Sequence, residues 1–103
     1  MKTVEFAPAA RAELDTAADL YELQRPGRGL RFYASVERTV RLIVAFPAIG
    51  PAFPDVLPDL GVRRCIVRGF PFVLAYRVLG ETIRIDAVAH MHRRPGYWRR
   101  RVR

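Results

Sequence analysis

Phe72-Val73-Leu74-Ala75-Tyr76-Arg77-Val78-Leu79, then Gly80-Glu81, then Thr82-Ile83-Arg84-Ile85-Asp86-Ala87-Val88-Ala89-His90: this stretch decides the fold class. Two β-prone runs parted by two residues, one of them glycine, predict an antiparallel hairpin. Strict alternation sets Phe72, Leu74, Tyr76 and Val78 on one face of the first run. It groups Ile83, Ile85, Ala87 and Ala89 against Arg84, Asp86, Val88 and His90 in the second. Upstream, Val62–Arg68 is a third strand-like run, and Gly69 turns it into the hairpin. Alternation puts Arg64 and Arg68 on one face of that run, and Arg63, Cys65 and Val67 on the other.

Before the strands the period changes. Ala10, Leu14, Ala17, Ala18 and Tyr21 recur at three- and four-residue spacing, a helical stripe opened by Pro8 and broken by Pro26-Gly27. Glu13, Asp15, Asp19 and Glu22 fill the remaining positions, so the outer face reads as acidic. A second stripe of Phe32, Tyr33, Val36, Val40, Ile43 and Val44 starts near Gly29 and ends at Pro47. So short a connection predicts an antiparallel helical hairpin. Pro47, Pro51, Pro54, Pro58, Gly50 and Gly61 make residues 47–61 a long loop. With the short β-prone run Thr3-Val4-Glu5-Phe6 in front, the layout is β-α-α-β-β-β. That is a two-layer α+β domain with a helical hairpin packed on a mainly antiparallel sheet. Strand order is not fixed by periodicity. One sheet face stays open unless something covers it, with Phe72, Tyr76 and Val78 or their alternates available to a partner strand or amphipathic helix.

The 103 residues suffice for one domain, 1–103, with half of the side chains hydrophobic. Cys65 is the only cysteine; no intrachain disulfide and no cysteine-paired structural zinc is available, and it reads as a small buried hydrophobe in a reducing cytoplasm. No signal peptide and no apolar run of membrane-spanning length is expected. His90 and His92 stand without neighbouring acidic or cysteine ligands, so neither metal nor cofactor is expected. Charge is lopsided. Residues 1–60 carry 7 basic and 8 acidic side chains, and residues 61–103 carry 11 and 2, within a net charge of +8. Every cation of the second part is an arginine, the side chain whose planar fork suits phosphate and carboxylate. Such a region attracts polyanions or an acidic partner. Arg63, Arg64 and Arg68 form either a basic stripe for nucleic acid or a solvated sheet face. Residues 99–103 read as a flexible basic tail.

Several short pieces in this order and spacing carry a resemblance. They are Ala12-Glu13-Leu14 with Ala17-Ala18 and Tyr21, Phe46-Pro47 with Gly50-Pro51, and Val62-Arg63-Arg64. Phe70-Pro71-Phe72, Tyr76-Arg77-Val78, Ala87-Val88-Ala89-His90 and Arg93-Arg94-Pro95-Gly96-Tyr97-Trp98 complete the set. Together they resemble the RelE/ParE superfamily of bacterial type II toxin–antitoxin toxins over nearly the whole chain, and its ParE-like, plasmid-stabilisation branch in particular. The resemblance implies a cytoplasmic toxin in a hetero-oligomer with a cognate antitoxin, whose extended tail wraps the helices and the open sheet. ParE-type members poison DNA gyrase; RelE-type members cut messenger RNA on the ribosome.

The catalytic candidates are His90 as general acid or base, Tyr97 to position or polarise a phosphate, and Arg64 and Arg93, joined by Arg94, as charge clamps. The alternative is a strand-end histidine bonded to backbone, with Tyr97 and Trp98 packing the C-terminal segment onto the sheet. Departures from the ribonucleolytic pattern count against chemistry. Val73 stands where such relatives carry a catalytic arginine, Ile66 replaces the second basic residue of its strand, and Met91 follows the last strand in a further basic position. Three readings follow: a gyrase inhibitor without chemistry of its own, a ribosome-dependent endoribonuclease, and a degenerate binding module.

Overall fold

The computed structural model describes residues 2–53, 60–94 and 96–102. Pro54 and Pro58 of the long loop, Pro95 and Arg103 lie outside them. The elements are β1 (Thr3–Phe6), α1 (Pro8–Gln24), α2 (Arg28–Ala45), β2 (Arg63–Val67), β3 (Phe72–Leu79) and β4 (Thr82–His90), followed by a 3₁₀ helix at Arg99–Val102. The sheet order is β1-β4-β3-β2; β1 runs parallel to β4 and the other neighbours are antiparallel. Two helices on this mixed sheet give the α+β layout the periodicities predict.

The helical hairpin is tied at its turn. The Glu22 carboxylate accepts the Gly27 and Gly29 amides at 3.0 and 3.1 Å. These are donors at the start of α2 that no intrahelical carbonyl reaches. Gly29 also lets the helices touch, since a Cβ there would meet the Ala18 carbonyl at 2.7 Å. Ala10, Leu14, Ala17, Ala18 and Tyr21 of α1 are buried as expected. On α2, Ser35 and Thr39 are buried alongside Phe32, Val36 and Ile43. Their hydroxyls donate to the Arg68 and Ser35 carbonyls at 2.6 and 3.0 Å, and this satisfaction makes polar residues tolerable in the core. Phe32 packs near-edge-on against Phe70 and Phe72 at centroid distances of 5.1 and 5.0 Å, knitting helices to sheet.

Alternation fails at one point in β4. Ala75 pairs with Ala87, but Tyr76 pairs with Ile85, so Asp86 is an extra residue in a bulge. The faces exchange there. Ile83, Ile85 and Val88 enter the helix-side core, while Ala87 and Ala89 face the opposite side. The bulged Asp86 is fully buried and accepts both Arg77 Nε and Nη2, at 2.8 and 2.9 Å. Phe72 and Tyr76 are likewise buried on the helix side, so they do not contribute the open face proposed for them; Val78 is exposed.

That other face is partly covered by the chain itself. Trp98 and Val102 are buried against Ala75, Ala87, Ala89 and Val62. Three alanines leave the room an indole needs. The reading of Trp98 as packing onto the sheet therefore holds. Within the stretch read as a basic tail, Arg99–Val102 form a 3₁₀ helix, with Val102 buried and Arg101 paired with Glu13 at 2.8 Å; Arg103 lies outside the described residues. Apolar burial at one end and a charge at the other outweigh the repulsion among three successive arginines.

Candidate functional groove

Beside Trp98 the covered face opens into a groove of about 590 Å³. One wall is the segment after α2, with Ile49, Pro51 and Phe53. Tyr76 pins it: its hydroxyl donates to the Pro47 carbonyl at 2.8 Å and accepts the Gly50 amide at 3.0 Å. Arg63 donates to the Gly50 carbonyl at 2.7 Å, and the Arg64 amide to the Pro51 carbonyl at 3.0 Å. Gly50 has no space for a side chain, since a Cβ would lie 2.2 Å from the Arg64 carbonyl.

The opposite wall is the C-terminal segment, and Glu13 holds it. β1 pairs only with Thr82–Ile85, so the second half of β4 has no neighbour on that edge. Glu13 of α1 supplies the missing acceptor, taking the Val88 amide at 3.0 Å. The same carboxylate accepts Arg101 at 2.8 and 3.2 Å and the Tyr97 hydroxyl. Arg101 also donates to the Asp86 carbonyl at 3.2 Å. Glu13 is therefore turned inward and is not part of the acidic outer face. Its spacing hinted at this, three residues after Ala10 and four before Ala17, at the margin of the buried stripe.

His90, Tyr97, Arg64 and Arg93 all line this one groove, as does Arg94. The Tyr97 hydroxyl is committed to Glu13. Burial, then that hydrogen bond and the carboxylate's charge, push its phenol well above the ordinary tyrosine range. A phenol so held is no base near neutral pH. The Arg93 guanidinium lies 3.6 Å from the Tyr97 ring centroid and 3.9 Å from Glu13. His90 sits edge-on to Phe72 at 5.0 Å, and its Nδ1 accepts the His92 amide at 3.0 Å. Arg64 is exposed, 6.0 Å from the Phe53 ring centroid.

The three departures lie in the same groove. Val73 pairs with Ile66 on one side and Ala89 on the other, forming a continuous apolar floor, and exposed Met91 lies at its rim. Cys65 also lines the groove; burial raises its thiol above the usual range, which favours the neutral form. Among the described residues, no three His, Cys, Asp or Glu side chains gather as a metal site, and no helix is long and apolar enough to cross a membrane. Sequence reading missed Glu13 and Arg101 as groove supports, and Ile49 and Phe53 as walls.

The family described as "ParE toxin of type II toxin-antitoxin system, parDE" matches residues 4–95. A solved chain from the "Chromosomal ParDE TA system from P. aeruginosa" superposes with a TM-score of 0.74 at 25% identity, covering 89% of this chain and 98% of that one. No curated protein matches the chain.

Proposed function

Because the chain belongs to the ParE toxin family of type II toxin–antitoxin systems, we propose that it is a cytoplasmic toxin, neutralised by a cognate antitoxin, that inhibits DNA gyrase by binding and not by chemistry of its own. The observation that supports the non-catalytic part is the apolar floor of the groove together with the engagement of the Tyr97 hydroxyl by Glu13. The Tyr97 hydroxyl donates a hydrogen bond to Glu13, His90 Nδ1 accepts the His92 amide, and the floor of Val73, Ile66 and Ala89 is apolar. General acid–base work needs groups free to exchange protons with a substrate. What remains is a cationic, apolar concavity suited to recognition. The net charge of +8 supports an antitoxin with an acidic tail that folds on binding.

Induction without the antitoxin should arrest growth and relax a reporter plasmid while messages stay intact; co-expression of the neighbouring antitoxin should restore growth. Growth arrest with a normally supercoiled plasmid would refute the gyrase assignment. A second reading, the ribosome-dependent endoribonuclease, is favoured by the gathering of His90, Tyr97, Arg64 and Arg93 in one groove. It requires cuts in translated messages and loss of toxicity in His90→Ala.

A further inference from the structure

The three arginines that read as one basic stripe on β2 part company in the fold. Arg63 donates to the Gly50 carbonyl, and Arg64 lines the groove. Arg68 stands beside α2 instead, because its carbonyl accepts the Ser35 hydroxyl at 2.6 Å. The Thr39 hydroxyl lies 3.5 Å from the Ile66 carbonyl, so one face of α2 runs along the end of β2. Arg31 and Arg38 are four residues before Ser35 and three after it, which makes them its neighbours on the helix surface. Arg31, Arg38 and Arg68 are all exposed. Arg28 stands at the margin, its guanidinium 4.7 Å from the Tyr21 ring centroid and 5.9 Å from that of Phe70. Charge pairing singles this shoulder out. Among the described residues Arg11, Arg41, Arg77, Arg84, Arg93 and Arg101 are in ion pairs, whereas Arg31, Arg38 and Arg68 are in none. Glu37, the acidic residue beside Arg38 in the chain, turns to Arg41 at 3.8 Å. Like charges gathered without a carboxylate repel one another, and an anion that spans them relieves the repulsion.

The surroundings narrow that anion. None of the three arginines lines the groove, so a small anion would meet long mobile arms and no enclosing wall. A bilayer surface, or an acidic peptide that folds on binding, needs apolar anchors among the cations. Leu30 and Leu42, the exposed large apolar residues of α2, precede Arg31 and follow Arg38, outside the stretch between them. A stiff rod of regularly spaced charges needs no such anchor. Arg31 and Arg38 lie two helical turns apart, about 10 Å along the axis, which matches about three base steps of a duplex at 3.4 Å each. We infer that this shoulder of α2 and the end of β2 is a docking surface for the phosphate backbone of duplex DNA, gripped by Arg31, Arg38 and Arg68. Such contacts position a protein on a duplex without reading its bases, so no sequence preference is expected. The inference goes beyond the gyrase reading. It is tested with no enzyme present, so its failure leaves that reading untouched.

The test is fluorescence anisotropy of a short labelled DNA duplex with the full chain, made by cell-free synthesis. The log affinity should fall with log salt at a slope of about −2.7, or about 0.9 for each of three phosphate contacts. Arg31→Ala, Arg38→Ala and Arg68→Ala should each weaken binding about tenfold and flatten the slope by about 0.9. Arg68→Ala keeps the Ser35 hydrogen bond, which is made to the backbone, and circular dichroism melts confirm that each variant is folded. Arg11→Ala removes the same charge from α1, where Arg11 is paired with Asp15, and should change affinity less than about twofold, since exposed pairs are worth little. A duplex of scrambled sequence should bind equally. Equal losses in Arg11→Ala and Arg38→Ala, or a single strand of the same length binding as tightly as the duplex, would overturn the inference as diffuse charge attraction. Losses confined to Arg64→Ala and Arg94→Ala would overturn it by moving the contact to the groove. Displacement of the duplex by a poly-glutamate peptide as readily as by unlabelled duplex would overturn it in favour of an acidic protein partner.

Discussion

Replacing Glu13 with alanine should be among the most damaging single changes outside the apolar core. The carboxylate side chain is 15% exposed and serves the Val88 amide, the Tyr97 hydroxyl and two nitrogens of Arg101. A hydrogen bond to a charged group is worth about 1.5–3 kcal/mol, and an amide left unpaired costs about 1–3 kcal/mol. These do not simply add, because the Arg101 side chain is 24% exposed and can turn to water once released. Breaking one partner of a largely buried ion pair costs about 3–5 kcal/mol, so about 3–4 kcal/mol is expected for Glu13→Ala. For a domain of this size each kcal/mol moves the melting temperature by about 4–8 °C, which gives a drop of roughly 12–32 °C. Circular dichroism melts of Glu13→Ala, Arg101→Leu and the double variant form the assay. The double variant should be more stable than additivity predicts by about 1 kcal/mol or more. A Glu13→Ala melt within about 3 °C of the parent would refute the claim that this carboxylate holds the C-terminal segment.

Other expectations follow from the same packing. Trp98→Ala should cost about 3–5 kcal/mol, because it empties the layer over Ala75, Ala87 and Ala89; urea unfolding midpoints measure this. Gly50→Ala should destabilise the wall after α2, since its Cβ would strike the Arg64 carbonyl and the Tyr76 hydroxyl; amide exchange at Gly50 and Arg64 should accelerate. The folded Tyr97 phenol lies above its unfolded value near 10. Its contribution is therefore fully present below pH 10 and is lost as pH rises from there through the folded value. Tyr97→Phe should lose less stability than the parent between pH 9 and 11, read from urea midpoints at each pH.

The helical stripes and the β-hairpin were legible because burial on one side writes itself as a period. Three features were not. The bulge at Asp86 leaves no mark in the alternation of Ile83, Ile85, Ala87 and Ala89, since apolar residues are acceptable on either covered face. The tail of arginines looked solvated because charge dominates composition, whereas Val102 and the Arg101–Glu13 pair decide its position. Glu13 looked like surface because no local pattern announces an edge amide 75 residues away. The groove residues were legible singly: His90, Tyr97, Arg64 and Arg93 do converge. The contact that engages Tyr97 is tertiary, since its Glu13 partner lies 84 residues away.

The most direct measurement is a supercoiling assay with purified gyrase, relaxed plasmid and the full chain. The account predicts inhibition at micromolar toxin, retained in His90→Ala and abolished by an equimolar amount of the cognate antitoxin. Undiminished supercoiling with no cleaved complex at that concentration would contradict it.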